Sequence, residues 1–136
     1  MANEAVIIEL GPNSGAPVLR TCADGATIEK GTLLVLADPN TVTASTSSSY
    51  GSPFGGIAAA EKVASDGSTL ISAYMEGVFD LTNCLTAAGV GNLVSLSGAN
   101  LFGGALAAHI LSGAVIGKLE ETASASEVVR VRLIGS

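Results

Sequence analysis

Tryptophan is absent from this chain of 136 residues, and the aromatic side chains are confined to two tyrosines and three phenylalanines. A core without many large rings has to be assembled from Val, Leu, Ile and Ala, each burying modest area at ~25 cal/mol per Å². Basic residues are scarce as well: six Lys and Arg stand against twelve Asp and Glu, a formal net charge of −6. Binding to a phosphate backbone draws on clustered Lys and Arg that release counterions, so no nucleic-acid partner is expected. The two cysteines, Cys22 and Cys84, form no CxxC pair and read as buried free thiols. No long apolar run exists either. The longest stretch, Leu101 to Gly117, is interrupted by glycines, His109 and Ser112 and falls short of the ~20 residues of a bilayer span, so no membrane association is expected. The start, Met1-Ala2-Asn3-Glu4, lacks the basic region of a secretory signal, and none is expected.

Formal charge is missing from two long intervals, between Asp38 and Glu61 and between Asp80 and Lys118. Both are filled by Ser, Thr, Asn, Gly and small apolar residues. Helical surfaces carry Glu and Lys, so these intervals predict sheet and loop. With 48% hydrophobic residues the chain is far from disordered composition. Its positive mean hydropathy also points to apolar surface that a monomer does not hide, hence to oligomerisation or docking.

What the chain does contain is an echo. Gly31-Thr32-Leu33-Leu34-Val35-Leu36 is answered by Gly91-Asn92-Leu93-Val94-Ser95-Leu96. A Gly-flanked apolar run follows each, Phe54-Gly55-Gly56-Ile57-Ala58 and Ala114-Val115-Ile116-Gly117-Lys118. Each then passes an acidic, Ala/Ser-rich turn into an alternating strand, Leu70 to Gly77 and Val128 to Gly135. The pattern predicts two related β units, about 25–81 and 85–135, and bodies of this sort usually bind rather than catalyse.

Period-2 runs predict strands at Val18–Cys22, Leu33–Leu36, Thr41–Ala44, Gly56–Ala60, Leu70–Met75 and Val78–Leu81 in the first unit. The second unit supplies Leu93–Leu96, a stretch near Ala105–Leu111, Val115–Leu119 and Val128–Ile134. Turn residues separate them at Asp24-Gly25, Asp38-Pro39-Asn40 and Asp66-Gly67. Helix signals are weak. Thr82 to Ala88 has the make-up of one or two turns, and Gly104 to Leu111 fits a short helix or a strand equally. In the last strand Glu127, Val129, Val131 and Leu133 share the face expected to point inward, leaving Arg130 and Arg132 on a solvated face.

Residues 1–17 differ from the rest. Ala5-Val6-Ile7-Ile8-Glu9-Leu10 is β-prone, and the breaker-rich Gly11-Pro12-Asn13-Ser14-Gly15-Ala16-Pro17 follows as a hinge. Two readings fit: an arm that leaves its own domain to pair elsewhere, or an ordinary edge strand and turn.

Catalytic constellations are wanting. His109, the single histidine, lies in the apolar run Ala107-Ala108-His109-Ile110-Leu111, where a satisfied or surface histidine is expected rather than a general base. Glu120 and Glu121 are adjacent and so point to opposite strand faces. Neither Gly55-Gly56 nor Gly103-Gly104 fits a phosphate loop, no Cys/His spacing fits zinc, and the turn aspartates do not space as an EF-hand. No enzyme activity, metal or cofactor is expected.

Two segments resemble a known family. Phe54-Gly55-Gly56-Ile57-Ala58-Ala59, the turn Ser65-Asp66-Gly67-Ser68, and Thr69 to Phe79 ending Glu76-Gly77-Val78-Phe79 resemble the lambda-type head decoration proteins of tailed phages. Ile116-Gly117-Lys118-Leu119-Glu120-Glu121-Thr122-Ala123-Ser124, followed by the alternation Val128 to Leu133, is similar to the C-terminal part of phage capsid cement proteins. The resemblance covers most of residues 20–135 and departs from the pattern at the long neutral insert around Leu93 to Leu111. It implies a non-catalytic virion protein on the outer capsid surface, made in the host cytoplasm, with the major capsid protein and sister copies, as a homotrimer, for partners.

The expectation is therefore an all-β fold with minor α content, a compact small β-barrel or β-tulip-like body of two related units. Residues 1–17 form an extended N-terminal arm and hinge, and 18–136 the decoration domain. Val6, Ile7, Ile8, Leu10, Pro12 and Pro17 are the candidate capsid-interface residues. The alternative is a surface- or carbohydrate-binding β module of a virion fibre or adhesin, which needs exposed aromatics for stacking.

Overall fold

The structure, a computed structural model, describes residues 3–10, 17–84 and 89–133. Among the described residues eleven strands and one short helix follow one another: β1 (Val6–Glu9), β2 (Val18–Thr21), β3 (Leu33–Ala37), β4 (Thr41–Ala44), β5 (Phe54–Ala58) and β6 (Leu70–Tyr74). They continue as β7 (Val78–Asn83), β8 (Leu93–Gly98), β9 (Leu101–Gly104), α1 (Ala107–Ser112), β10 (Val115–Leu119) and β11 (Val128–Leu133). The fold is all-β with a minor helical element.

Strands β2 to β6 close into a five-stranded barrel in the order β2-β4-β3-β5-β6. Strands β7 to β11 close in the order β7-β9-β8-β10-β11, the gap being sealed by a parallel pairing of β7 with β9. The two orders are the same: first, third, second, fourth, fifth. The pair types match too, parallel only between first and third strands (β2 with β4, β7 with β9) and antiparallel elsewhere.

Local backbone features repeat with the topology. Gly31 and Gly91 have φ of 90° and 84°, Asn40 and Asn100 have 51° and 56°, and Ser65 and Ser126 both have 60°. These left-handed conformations suit Gly and Asn in turns. The Gly31 N–H donates to the Ala58 carbonyl at 2.8 Å and the Gly91 N–H to that of Leu119 at 2.9 Å. Each fourth strand carries a bulge against the second: one extra residue, Gly55 or Ile116, lies between the residues paired with Val35 and Leu34 or with Ser95 and Val94. Gly117 is required where it stands, because a Cβ there would overlap the Arg132 carbonyl group.

The boundary between the units falls earlier than the sequence predicts. Val78–Leu81 belongs to the second unit as part of β7, because it forms the ladder with β11 that closes the second barrel. Two further expectations change. Gly104–Leu111 splits into the end of β9 and α1, which stops where Gly113 takes a left-handed C-cap. Thr82 and Asn83 extend β7 rather than opening a helix, and 85–88 lie outside the described residues.

The cores are unequal. The first barrel holds a small set: Cys22, Ile28, Leu34, Val42, Ala58, Ile71 and Ala73. The second holds larger side chains, among them Phe79, Phe102, Leu96, Ile116 and Leu119, joined in one cluster by Leu33, Phe54 and Ile57 of the first barrel. Leu33 and Ile57 alternate with Leu34 and Ala58, so they point out of the first barrel and into the joint between the two. In β11, Val129, Val131 and Leu133 are buried as expected, whereas Glu127 is exposed beyond the strand end.

Candidate interaction surfaces

The N-terminal segment is an edge strand of the body. β1 pairs antiparallel with β7, Val6 opposite Asp80 and Ile7 opposite Phe79, with a bulge before Glu9. Just upstream, the Ala5 N–H donates to the Gly31 carbonyl at 2.7 Å, so the segment crosses from one barrel to the other. Of the two readings of the N-terminal segment, the described residues 3–10 take that of the edge strand. The physical reason is the side of β7 that β9 leaves open, since β9 meets only Thr82 and Asn83. Ile7 lies near Tyr74, Phe79 and Ile57 over the joint. Val6 (58% exposed), Ile7 and Ile8 still show apolar surface, while Leu10 packs against the main core. Pro17 is exposed, and Pro12 lies outside the described residues.

A second apolar surface was not legible in the sequence as such. Leu106, Ile110 and Leu111 on α1 and its N-terminal side are all exposed, Leu111 by 91%. Ile110 and Leu111 border a groove of about 550 Å³ between the barrels, with Arg20, Met75, Pro53 and Phe54 on its other walls. The ambiguity of Gly104–Leu111 hid this patch, because the exposed side of a segment depends on whether it is helix or strand.

His109 is a structural residue of this helix. It is buried, and its Nδ1 accepts the Leu106 backbone N–H at 3.2 Å and lies 2.7 Å from Ser95 Oγ. Tyr50 meets the ring edge-on, with centroids 4.9 Å apart. Nδ1 is therefore committed as an acceptor, and the imidazole fastens the 45–53 loop of one barrel to α1 of the other.

Two polar clusters complete the inventory. At the far end of the first barrel the buried Lys62 Nζ donates to the carbonyls of Asp24 (2.7 Å) and Val63 (2.8 Å) and to Asp66 Oδ1 (2.7 Å). Burial works to lower the lysine's pKa, but the Asp66 hydrogen bond and charge, helped by Asp24, carry it above the ordinary value. The Lys62 hydrogen bond and the Ser68 N–H hold Asp66 below its own ordinary range. At the joint, Asn100 Oδ1 accepts the Leu33 N–H at 2.9 Å and the Ser45 hydroxyl at 3.3 Å, and the Asn100 N–H donates to Ser45 Oγ at 2.9 Å.

The outer face of the second barrel is charged where that of the first is apolar. Lys118 and Arg132 occupy the strand positions of Ile57 and Tyr74, beside Asp80, Glu120, Glu121 and Arg130 in an open groove of about 790 Å³. Arg132 Nε donates to Glu120 Oε2 at 2.8 Å, and the Arg130 backbone N–H to Glu121 Oε1 at 2.9 Å. Both arginines lie on an exposed face, as the alternation in β11 predicts.

Among the described residues no three of His, Cys, Asp and Glu come together as metal ligands, and no helix is long and apolar enough to cross a membrane. Cys22 is buried and Cys84 only half-buried, because Cys84 sits past the end of β7; both are free thiols. No protein-family model matches this chain, and no curated protein matches it.

Proposed function

We propose that the chain is a decoration, or cement, protein of a tailed-phage head, which binds the outside of the assembled shell and stabilises it through the major capsid protein and sister copies. The observation that carries the reading is the clustering of apolar exposure on a terminal strand. β1 is the outermost strand of the six-stranded sheet, with one edge on β7, and Val6 and Ile8 are exposed. A strand of a capsid protein can add to its free edge through backbone hydrogen bonds while β1 stays on β7, and side-chain identity then matters little. The resemblance of Phe54–Phe79 and Ile116–Leu133 to cement proteins supports the same reading. So does an acidic surface suited to the outside of a shell, away from packaged phosphate.

The carbohydrate-binding alternative draws less support. Phe54, Phe79 and Phe102 are buried, Tyr74 is half-buried, and only Tyr50 among the aromatics is largely exposed. One ring does not make a stacking platform. Three-fold clustering on the shell is proposed from the resemblance, and the exposed Leu106, Ile110 and Leu111 offer surface for contact between copies.

The test uses shells assembled from the major capsid protein of the same genome, without decoration protein. Co-sedimentation and the temperature of shell rupture are measured with wild-type protein and with a Val6→Lys, Ile8→Lys double variant, whose changed side chains are exposed. Saturable binding and a raised rupture temperature are expected, both weakened in the variant. Absence of binding by the wild-type protein sinks the proposal. Equal binding by the variant moves docking away from β1.

A further inference from the structure

The internal repeat exposes an edge that, among the described residues, has no strand on it. Thr21 and Thr82 are matched residues, each paired in parallel with the first residue of the third strand of its barrel, Thr41 or Leu101. Counting back along the strands, Leu19 matches Asp80. Asp80 and Phe79 are covered by Val6 and Ile7 of β1. On the first barrel no described strand pairs with Leu19 or Val18 on this side, because β4 reaches only Thr21.

Backbone direction shows which way this edge faces. The Thr21 N–H turns towards β4 and donates to the Asn40 carbonyl at 2.9 Å, whereas the Cys22 N–H turns towards β6 and donates to Thr69 at 2.9 Å. Alternation along the strand aims the Leu19 N–H and carbonyl the same way as those of Thr21, away from β6. The carbonyl meets only Asn40 Nδ2, at 3.4 Å. Leu19 is 58% exposed and shares the outer face with Leu70, also exposed and opposite Thr21. An exposed edge flanked by apolar side chains is a template for another strand.

We infer that β2 is a strand-accepting site, and that its occupant is a short extended segment of another protein, antiparallel to β2 and apolar where it faces Val18 and Leu19. Among the described residues there are two matched edges and one β1. A second copy that lends its β1 takes it from its own β7, where Ile7 lies over Phe79, so like-for-like exchange leaves one matched edge open in every copy. A strand from a different protein fills the edge at no such cost. Its chemistry is given by what the matched edge accepts, the β-branched run Val6-Ile7-Ile8. The open groove over Lys118 and Arg132 is a poorer match for such a segment, because charges replace the apolar contacts that Ile7 makes on the first barrel. The inference concerns the edge alone and stands whether or not the partner is a capsid protein.

The experiment titrates the isotope-labelled full-length protein with a synthetic peptide of residues 3–10, Asn-Glu-Ala-Val-Ile-Ile-Glu-Leu, and follows backbone amide resonances. Saturable shifts centred on Val18–Thr21 and Asn40 are expected, and their loss when the peptide is N-methylated at alternate residues to remove its donors. A Leu19→Pro variant, which lacks the outward N–H, should retain its thermal transition and lose the shifts. If that variant does not fold, the N-methylated peptide alone decides. Absence of shifts at Val18–Thr21 at millimolar peptide overturns the inference. So do shifts confined to Val78–Asp80, which report exchange with the protein's own β1.

Discussion

Replacing Asn100 by glycine should destabilise the protein more than replacing Asn40, and the repeat makes each the control for the other. Both asparagines stand just before the third strand of their barrel, with φ of 56° and 51°. Glycine adopts that conformation freely, so neither substitution strains the turn, and the added freedom of the unfolded chain, about 0.5–1 kcal/mol, is common to both. The difference lies in what the side chains hold. Asn100 is fully buried, and its loss leaves the Leu33 N–H in a dry joint without its acceptor. An unsatisfied buried donor costs about 1–3 kcal/mol. Asn40 is exposed and takes the Arg20 guanidinium at 2.8 Å in solvent, where water replaces it. Urea denaturation should therefore separate the variants by about 1–3 kcal/mol, and thermal midpoints by roughly 3–10 °C for a chain of this size. Equal stability of the two, within ~0.5 kcal/mol, would refute the role given to Asn100 in joining the barrels.

Gly117→Ala should cost about 1–3 kcal/mol or more in urea denaturation, since the methyl meets the Arg132 carbonyl group, while Gly104→Ala, with open space around it, should change the midpoint little. Stability should be greatest between two limits set by the Lys62 cluster. Asp66, held below its ordinary 3.8, stabilises the fold above that value and loses the contribution as pH falls through its lower folded value. Lys62, raised above its ordinary 10.5, stabilises below that value and loses the contribution as pH rises through its higher folded value. Thermal midpoints across pH should show both limbs, and Asp66→Asn should flatten the acid limb; an unchanged acid limb would exclude Asp66 as its source. With a thiol reagent Cys84 should react in the native state, while Cys22, whose thiol burial pushes up in pKa, should react only on unfolding.

The strands were largely legible because alternation and glycine punctuation are local signals: Thr41–Ala44 and Val115–Leu119 stand where the pattern places them. The echo between residues near 31 and 91 was legible as sequence, and closure into two barrels with one strand order is its structural form. Three things were not. Whether Val78–Leu81 ends one unit or begins the next depends on pairing with β11, some fifty residues on, and no local pattern records that. The helical turn at Ala107–Ser112 is set by Gly113 and by the contacts of His109, not by periodicity. The buried Asn100 looks like any turn asparagine until the joint closes on it.

The pairing of β1 with β7 fixes an order of events during synthesis. The first barrel has its whole core available once β6 has emerged, since all seven of its buried core residues lie between Cys22 and Ala73. The apolar run Val6-Ile7-Ile8 is made first, yet its partner strand ends only at Asn83. At about 5–20 residues per second, β1 waits roughly 4–15 s for β7 to be made. During that interval the nascent chain carries a completed barrel, an orphan apolar strand, and Leu33 and Ile57 facing outward with nothing yet against them. The ribosome-bound half-protein thus carries apolar surface that the finished fold hides, and the arrival of the second barrel ends that exposure.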